Sequence, residues 1–365
     1  MATINKSRNR SKKALLIGGG APNSSLIAGA LVAFLDRGIE FDVVSTSGAG
    51  ALMGLLYSAP QGGDPRTALE RWVDVGVSDA IYDLFPVNYK VFMKPGAYAD
   101  TYRQMLSAMP LTKPYFDAFA PGAANGLWAD LVRLAAATMS PSDLSAQSLG
   151  MCAPLPFAEQ AVDFSAVPSI APDFYINAYN TTQEKMTIWS KDEITVEHLR
   201  AAFAFPMIYP PYRIGKDDYI EGAAIDTINF KALVSDDKDE PGLHRELDTL
   251  VVFDILGVDK LIRSPRNLYD SWVHSIITPL VQLAKDDVKL FELQHNIDPA
   301  TGKPKRRLLK VDLAGGIPAD HWPKVLDWSS SNMKLLYQIG YDAGIAFCND
   351  NQAVLGAQAP IHAVA

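Results

Sequence analysis

From Phe41 to Ala51 the chain reads Phe-Asp-Val-Val-Ser-Thr-Ser-Gly-Ala-Gly-Ala. A short apolar run passes into small residues, and Leu52-Met53-Gly54-Leu55-Leu56 follows with the texture of a buried helix. Few arrangements suit this order. A sharp strand-to-helix turn that lifts one serine above a sheet has no room for large neighbours, and its usual pattern is Gly-x-Ser-x-Gly. Ser45, Thr46, Ser47, Gly48, Ala49 and Gly50 occupy the turn here, and they do not meet that pattern residue for residue.

The segment before the turn supports the same architecture. Ala14 to Ile17 is a strand, Gly18 to Asn23 a glycine turn, and Ser24 or Ser25 can cap a helix. The apolar positions Leu26, Ile27, Ala30, Leu31 and Phe34 keep helical spacing, Gly38 ends the helix, and Phe41 to Val44 is the next strand. This is a βαβ unit with a parallel pair. With 365 residues, 48% of them hydrophobic, the chain can bury a large core.

Downstream, about residues 60–172 are rich in Pro, Gly, Tyr and Phe, with helical pieces at Arg66–Val75, Asp100–Ala108 and Leu127–Thr138. This reads as a mostly helical insertion, a cap expected to cover the strand ends and the glycine loop, where α/β sites lie. Further strands are expected at Phe174–Tyr179, Met186–Trp189, Leu250–Leu256 and Arg307–Leu313. Helices are expected at Thr195–Ala204, Leu268–Leu293 and Ser330–Phe347. The organisation is a basic tail over 1–12, one domain over 13–350, and a loose tail over 351–365.

A net charge of -8 argues against a nucleic-acid-binding role, which needs clustered Lys and Arg. The two cysteines, Cys152 and Cys348, lie far apart and suit a reducing compartment, so a cytoplasmic location is expected. The apolar run after Lys12-Lys13 is four residues, too short for a secretory signal. No metal spacing or organic cofactor motif is present.

Three segments fit one site. Gly18-Gly19-Gly20, between a strand and a helix, can present amides as an oxyanion hole or a phosphate cradle. The small-residue turn is the second. The third is Glu221-Gly222-Ala223-Ala224-Ile225-Asp226, where a carboxylate could serve as general base for a serine hydroxyl.

With these segments in order the chain resembles the patatin-like phospholipase family, from about Lys13 to Phe230 without the insertion. The run Ala201-Ala202-Phe203-Ala204-Phe205-Pro206-Met207-Ile208-Tyr209-Pro210-Pro211 is similar to the family's Ala-Ser-x-Ala-x-Pro-x-x-Phe-Pro-Pro, and Asp226 and Asn229 fall in a segment like its Asp-Gly-Gly-x-x-Asp-Asn-x-Pro. The resemblance implies an α/β fold, a three-layer α/β/α sandwich. It also implies a Ser–Asp dyad without histidine, no cofactor, and a lipid or other acyl ester as substrate.

The departures fall on the reacting atoms. In an ungapped match Gly48 takes the nucleophile position, Thr46 the first glycine, Glu221 the aspartate, and Pro22 a frequent Lys or Arg. Three readings follow. Sliding the elbow back one residue gives a Ser47–Glu221 dyad, the longer acid matching the set-back serine, for a lipase, esterase or phospholipase, or an acyltransferase using the same acyl-enzyme. Taken literally, Gly48 marks a lost serine and a binding or scaffold protein. Ser45 or another nucleophile is the third, including a serine–histidine site using His274 or His321. The aromatics of the insertion are open to readings as its core, an acyl pocket or a peripheral membrane contact.

Overall fold

The computed structural model describes residues 11–20, 23–116, 124–155, 157–234 and 244–358. Eight strands form one mixed sheet: β1 (Lys12–Ile17), β2 (Val43–Thr46), β3 (Asp173–Asn180), β4 (Lys185–Ser190), β5 (Tyr212–Ile214), β6 (Asp217–Glu221), β7 (Leu247–Phe253) and β8 (Arg307–Lys310). The order is β5-β6-β3-β2-β1-β7-β8, with β4 paired to β3 outside this path. Helices lie on both sides of the sheet.

The two faces follow from alternation along the strands. In β1, Leu15 and Ile17 join the core beneath α1 (Ser24–Asp36) and α2 (Ala49–Ser58), while Ala14 and Leu16 join a second core with Phe230, Leu233 and Phe291. A strand covered on both faces reads as a continuous apolar run, as Ala14-Leu15-Leu16-Ile17 does.

β1 and β2 form the expected parallel pair. β2 starts two residues later than its sequence suggested, because β1 pairs Leu16 with Ser45 and Ile17 with Thr46 and so draws the first small residues into the sheet. The helix α1 is preceded by Asn23, whose side chain donates to the Ile255 carbonyl at 3.0 Å and makes no cap. Its Ser24 and Ser25 lie inside the helix.

β3 has an unusual load. β4 covers one edge from Tyr175 to Asn180. The other edge is shared end to end: β2 takes Asp173 to Ile176, and β6, antiparallel, takes Ala178 to Asn180. Asn177 falls in the gap between them. Strands β5 and β6 were not apparent in the sequence, since Asp217-Asp218-Tyr219-Ile220-Glu221 is too polar to read as a buried run.

Between Pro60 and Pro172 the regular elements among the described residues are helical, the longest being Ala97–Ala108 and Leu127–Met139, with much irregular chain between. The segment meets the proline run through the amides of Met151 and Cys152, which donate to the carbonyls of Met207 and Ile208 at 3.1 and 2.8 Å. At the C-terminus the chain expected to be loose from 351 stays packed as far as Gln358. A short helix (Gln352–Leu355) buries Leu355, and the buried Lys13 ammonium donates to the Leu355 carbonyl at 2.5 Å. The basic residues before Ser11 and the last seven residues lie outside the described residues. No helix among the described residues is long and apolar enough to cross a membrane.

The helix Ser330–Asp350 packs directly on α1. A Cβ at Gly340 would strike the Leu26 carbonyl, and one at Gly29 the Tyr337 carbonyl. Backbone on both sides leaves nothing to rotate away. Gly340→Val is therefore expected to lower stability by about 1–3 kcal/mol or more, read as a shifted urea midpoint, while Gly302→Ala, in open space at a positive φ, costs less.

Candidate active site

The turn after β2 has its apex at Gly48. This residue sits at φ 52° and ψ -130°, directly before α2, in a region nearly closed to other residues. Along the strand before it, side chains alternate. Ser45 Oγ donates to the Asn229 carbonyl at 2.9 Å, and Thr46 Oγ1, on the opposite face, donates to the Tyr175 carbonyl at 2.9 Å. Ser47 Oγ has two acceptors at 2.8 Å, Asn177 Oδ1 and the Asp226 carbonyl. It carries one proton and serves them one at a time. All three side chains are 0% exposed. Gly50 is required by contact: its Cβ would collide with the carbonyl oxygens of Ile17 and Gly18.

Glu221 ends β6, pinned by its pairing with Ala178 and by its amide, which donates to the Ala204 carbonyl at 3.0 Å. Because β6 ends where β2 stops, the acid arrives at the elbow head-on. Its Oε1 lies 2.2 Å from the point where the Cβ of a residue at 48 would stand, and the Ala223 methyl is 2.9 Å from the same point. Glu221 retains partial exposure, but loss of water around its carboxyl pushes the pKa up to about 8. At neutral pH the group is mostly protonated and can donate a hydrogen bond.

Asn177 organises the junction and was missed in the sequence. Its Oδ1 accepts from Ser47, its Nδ2 donates to the Asp226 carbonyl at 3.3 Å, and its amide lies so close to Gly222 that a Cβ there would collide with it. The available signal was a lone amide in an otherwise apolar strand, Phe174-Tyr175-Ile176-Asn177-Ala178.

The glycine loop joins this site from β1. A Cβ at Gly19 would lie 2.7 Å from the Ala223 methyl and 3.8 Å from the Gly48 Cα. Two of its amides are used within the fold: Gly18 donates to the Phe253 carbonyl at 3.0 Å and Gly19 to the Thr227 carbonyl at 3.1 Å. Gly20, at φ 134°, is the last described residue before Ala21 and Pro22, which lie outside the description. Thr227 is itself held by Asp287, whose Oδ2 accepts from its amide at 2.7 Å and its hydroxyl at 2.6 Å. Burial, and then the charge of Asp226, pushes Asp287 up to about 6. Asp226 Oδ1 accepts from the Asn229 amide at 2.8 Å, which fixes the turn carrying both carbonyls that face Ser45 and Ser47. His274 lies beside Asp270, and His321 bonds Asn332 at 2.6 Å; neither is a partner of the elbow hydroxyls.

The glycine loop, the elbow and the acid segment therefore meet in space in the order the sequence presents them. A family model described as patatin-like phospholipase matches residues 15–234, more than half of the chain. The chain belongs to the patatin-like phospholipase family. The matched span holds all three of these segments, and the fold is the α/β/α sandwich of the patatin family. The kind of function that goes with the patatin family is hydrolysis of acyl lipids. Among solved structures, VipD from Legionella pneumophila is similar at 13% identity, over 93% of this chain and 67% of that one, with a TM-score of 0.39. No curated protein matches the chain.

The raised pKa of Glu221 has a thermodynamic consequence. The folded chain keeps a proton on Glu221 that the unfolded chain releases near pH 4.5. Stability from this group is full below that value, falls as pH rises toward about 8, and then levels off. Glu221→Gln removes the titration. The variant's urea midpoint, relative to wild type, should rise between pH 5 and pH 9; equal offsets at both would rule this out.

Proposed function

We propose that this chain holds an acyl lipid in the patatin site without forming an acyl-serine at the elbow. One observation carries the reading: the apex is Gly48, and Glu221 Oε1 fills the space a side chain there would need. Covalent ester cleavage needs a nucleophile within reach of a base. The hydroxyl of Ser47 is buried and bonded to Asn177 and the Asp226 carbonyl. A protonated Glu221 is suited to another task, donating a hydrogen bond to a lipid carbonyl or head-group oxygen. In this reading residues 13–350 act as one unit and the helical insertion supplies apolar cover, with its exposed side available to a lipid surface.

Hydrolysis or acyl transfer through Ser47 and Glu221 is the second reading. It is favoured by the adjacency of Ser47 to Gly48, the residue against which the Glu221 carboxyl rests. It requires Ser47 to leave Asn177 and turn past the backbone of Gly48 at each turnover. Its proposed oxyanion donors come from Gly18–Gly20, and the Gly18 and Gly19 amides would have to give up their carbonyls.

A fluorophosphonate probe with peptide mapping separates the two. The first reading expects no adduct on Ser45 or Ser47 and no p-nitrophenyl ester cleavage above background in the wild type. The double substitution Gly48→Ser with Glu221→Asp shortens the acid as it installs the hydroxyl, and should gain labelling at residue 48 and about 10²-fold or more in esterase rate. An adduct on Ser47 in the wild type, abolished by Ser47→Ala, would sink the first reading in favour of the second.

A further inference from the structure

The insertion contains a cavity of about 1030 Å³, at the upper end of the roughly 300–1,000 Å³ typical of small-molecule sites. No residue of the glycine loop, the elbow or the Glu221 segment lines it. Its wall is largely apolar, with Val91, Phe92, Leu106 and Leu134 among the lining side chains. Leu84 and Phe85, also lining residues, are 75% and 56% exposed, so large apolar groups stand in solvent at its rim.

The charge of the wall opposes that of the protein. Lys90, Lys94, Arg103, Arg133 and Arg200 line the cavity, against Asp100 as the one lining carboxylate among the described residues, in a chain of net charge -8. Most of these cations are answered nearby. Lys90 and Arg133 share Asp130 at 2.9 and 3.2 Å, Arg103 pairs with Asp100, and Arg200 Nη2 meets Glu159 at 2.6 Å. Lys94 differs. Its ammonium is held by the neutral carbonyls of Thr138 and Ser140, each at 3.0 Å, and no carboxylate pairs with it among the described residues. The buried Nε of Arg200 also has no acceptor among the described residues. Among the described residues, three carboxylates pair with four of the five lining cations, and Lys94 is the one held by neutral groups alone.

We propose that this cavity binds a single-chain anionic amphiphile. The acyl tail occupies the apolar wall, where its burial supplies most of the affinity. The acidic head, a carboxylate or a phosphate, pairs with Lys94. The site is separate from the elbow, and the proposal does not rest on the reading of Gly48 and Glu221.

Titration calorimetry with palmitate below its micellar concentration tests this. Palmitate has no ester, so the result is independent of any hydrolysis. One-to-one binding is expected in the wild type, at least tenfold tighter than hexadecanol, which has the same tail and no charge. Lys94→Gln should reduce palmitate to the hexadecanol level and leave hexadecanol unchanged. Ser107→Trp, on the cavity wall and without a side-chain hydrogen bond to lose among the described residues, should block both ligands. A parallel arm with 1-palmitoyl lysophosphatidate assigns the head: tighter binding than palmitate selects phosphate, weaker binding selects carboxylate, and either supports the site. Absence of binding by both anions overturns the proposal. So does equal affinity for palmitate and hexadecanol in the wild type, or palmitate binding unaffected by Ser107→Trp.

Discussion

The shared edge of β3 governs the site. β2 and β6 meet end to end on it, and the gap between them is one residue wide, at Asn177. Everything at the elbow follows from that abutment. The chain leaving β2 must turn out of the sheet at once, because the edge ahead is taken. Glu221, ending β6, must face the turn. Asn177 supplies the hydrogen bonds that neither strand can make across the break.

Much of this was legible in the sequence. The apolar run of β1, the glycines after it and the small residues of the turn carry their structure locally, as crowding and backbone freedom. The family resemblance rested on these residues together with the Glu221–Asp226 segment and the run Ala201–Pro211. Two things were not legible. β6 is a short strand at a site, partly exposed and acidic, and its pairing is set by β3 rather than by its own composition. The role of Asn177 depends on the register of two strands far apart in sequence, which no local pattern encodes.

The contrast between Ser47 and Gly48 turns on the same physics. Strand side chains alternate, so Ser45 and Ser47 share one face and both reach the segment Asp226–Asn229. A shift of one residue at the turn is a change of face. The seat at the top of the turn belongs to residue 48, and the Glu221 carboxyl stands in it.

That occupation ties two positions together. With glutamate at 221, a side chain at 48 meets a carboxyl oxygen that must swing aside, while the Ala223 methyl stands 2.9 Å from the same point whichever acid is present. A shorter acid removes the first obstacle and leaves the methyl and the positive φ of residue 48. Substitutions at 48 and 221 therefore do not act independently, because each alters the space the other has to fill.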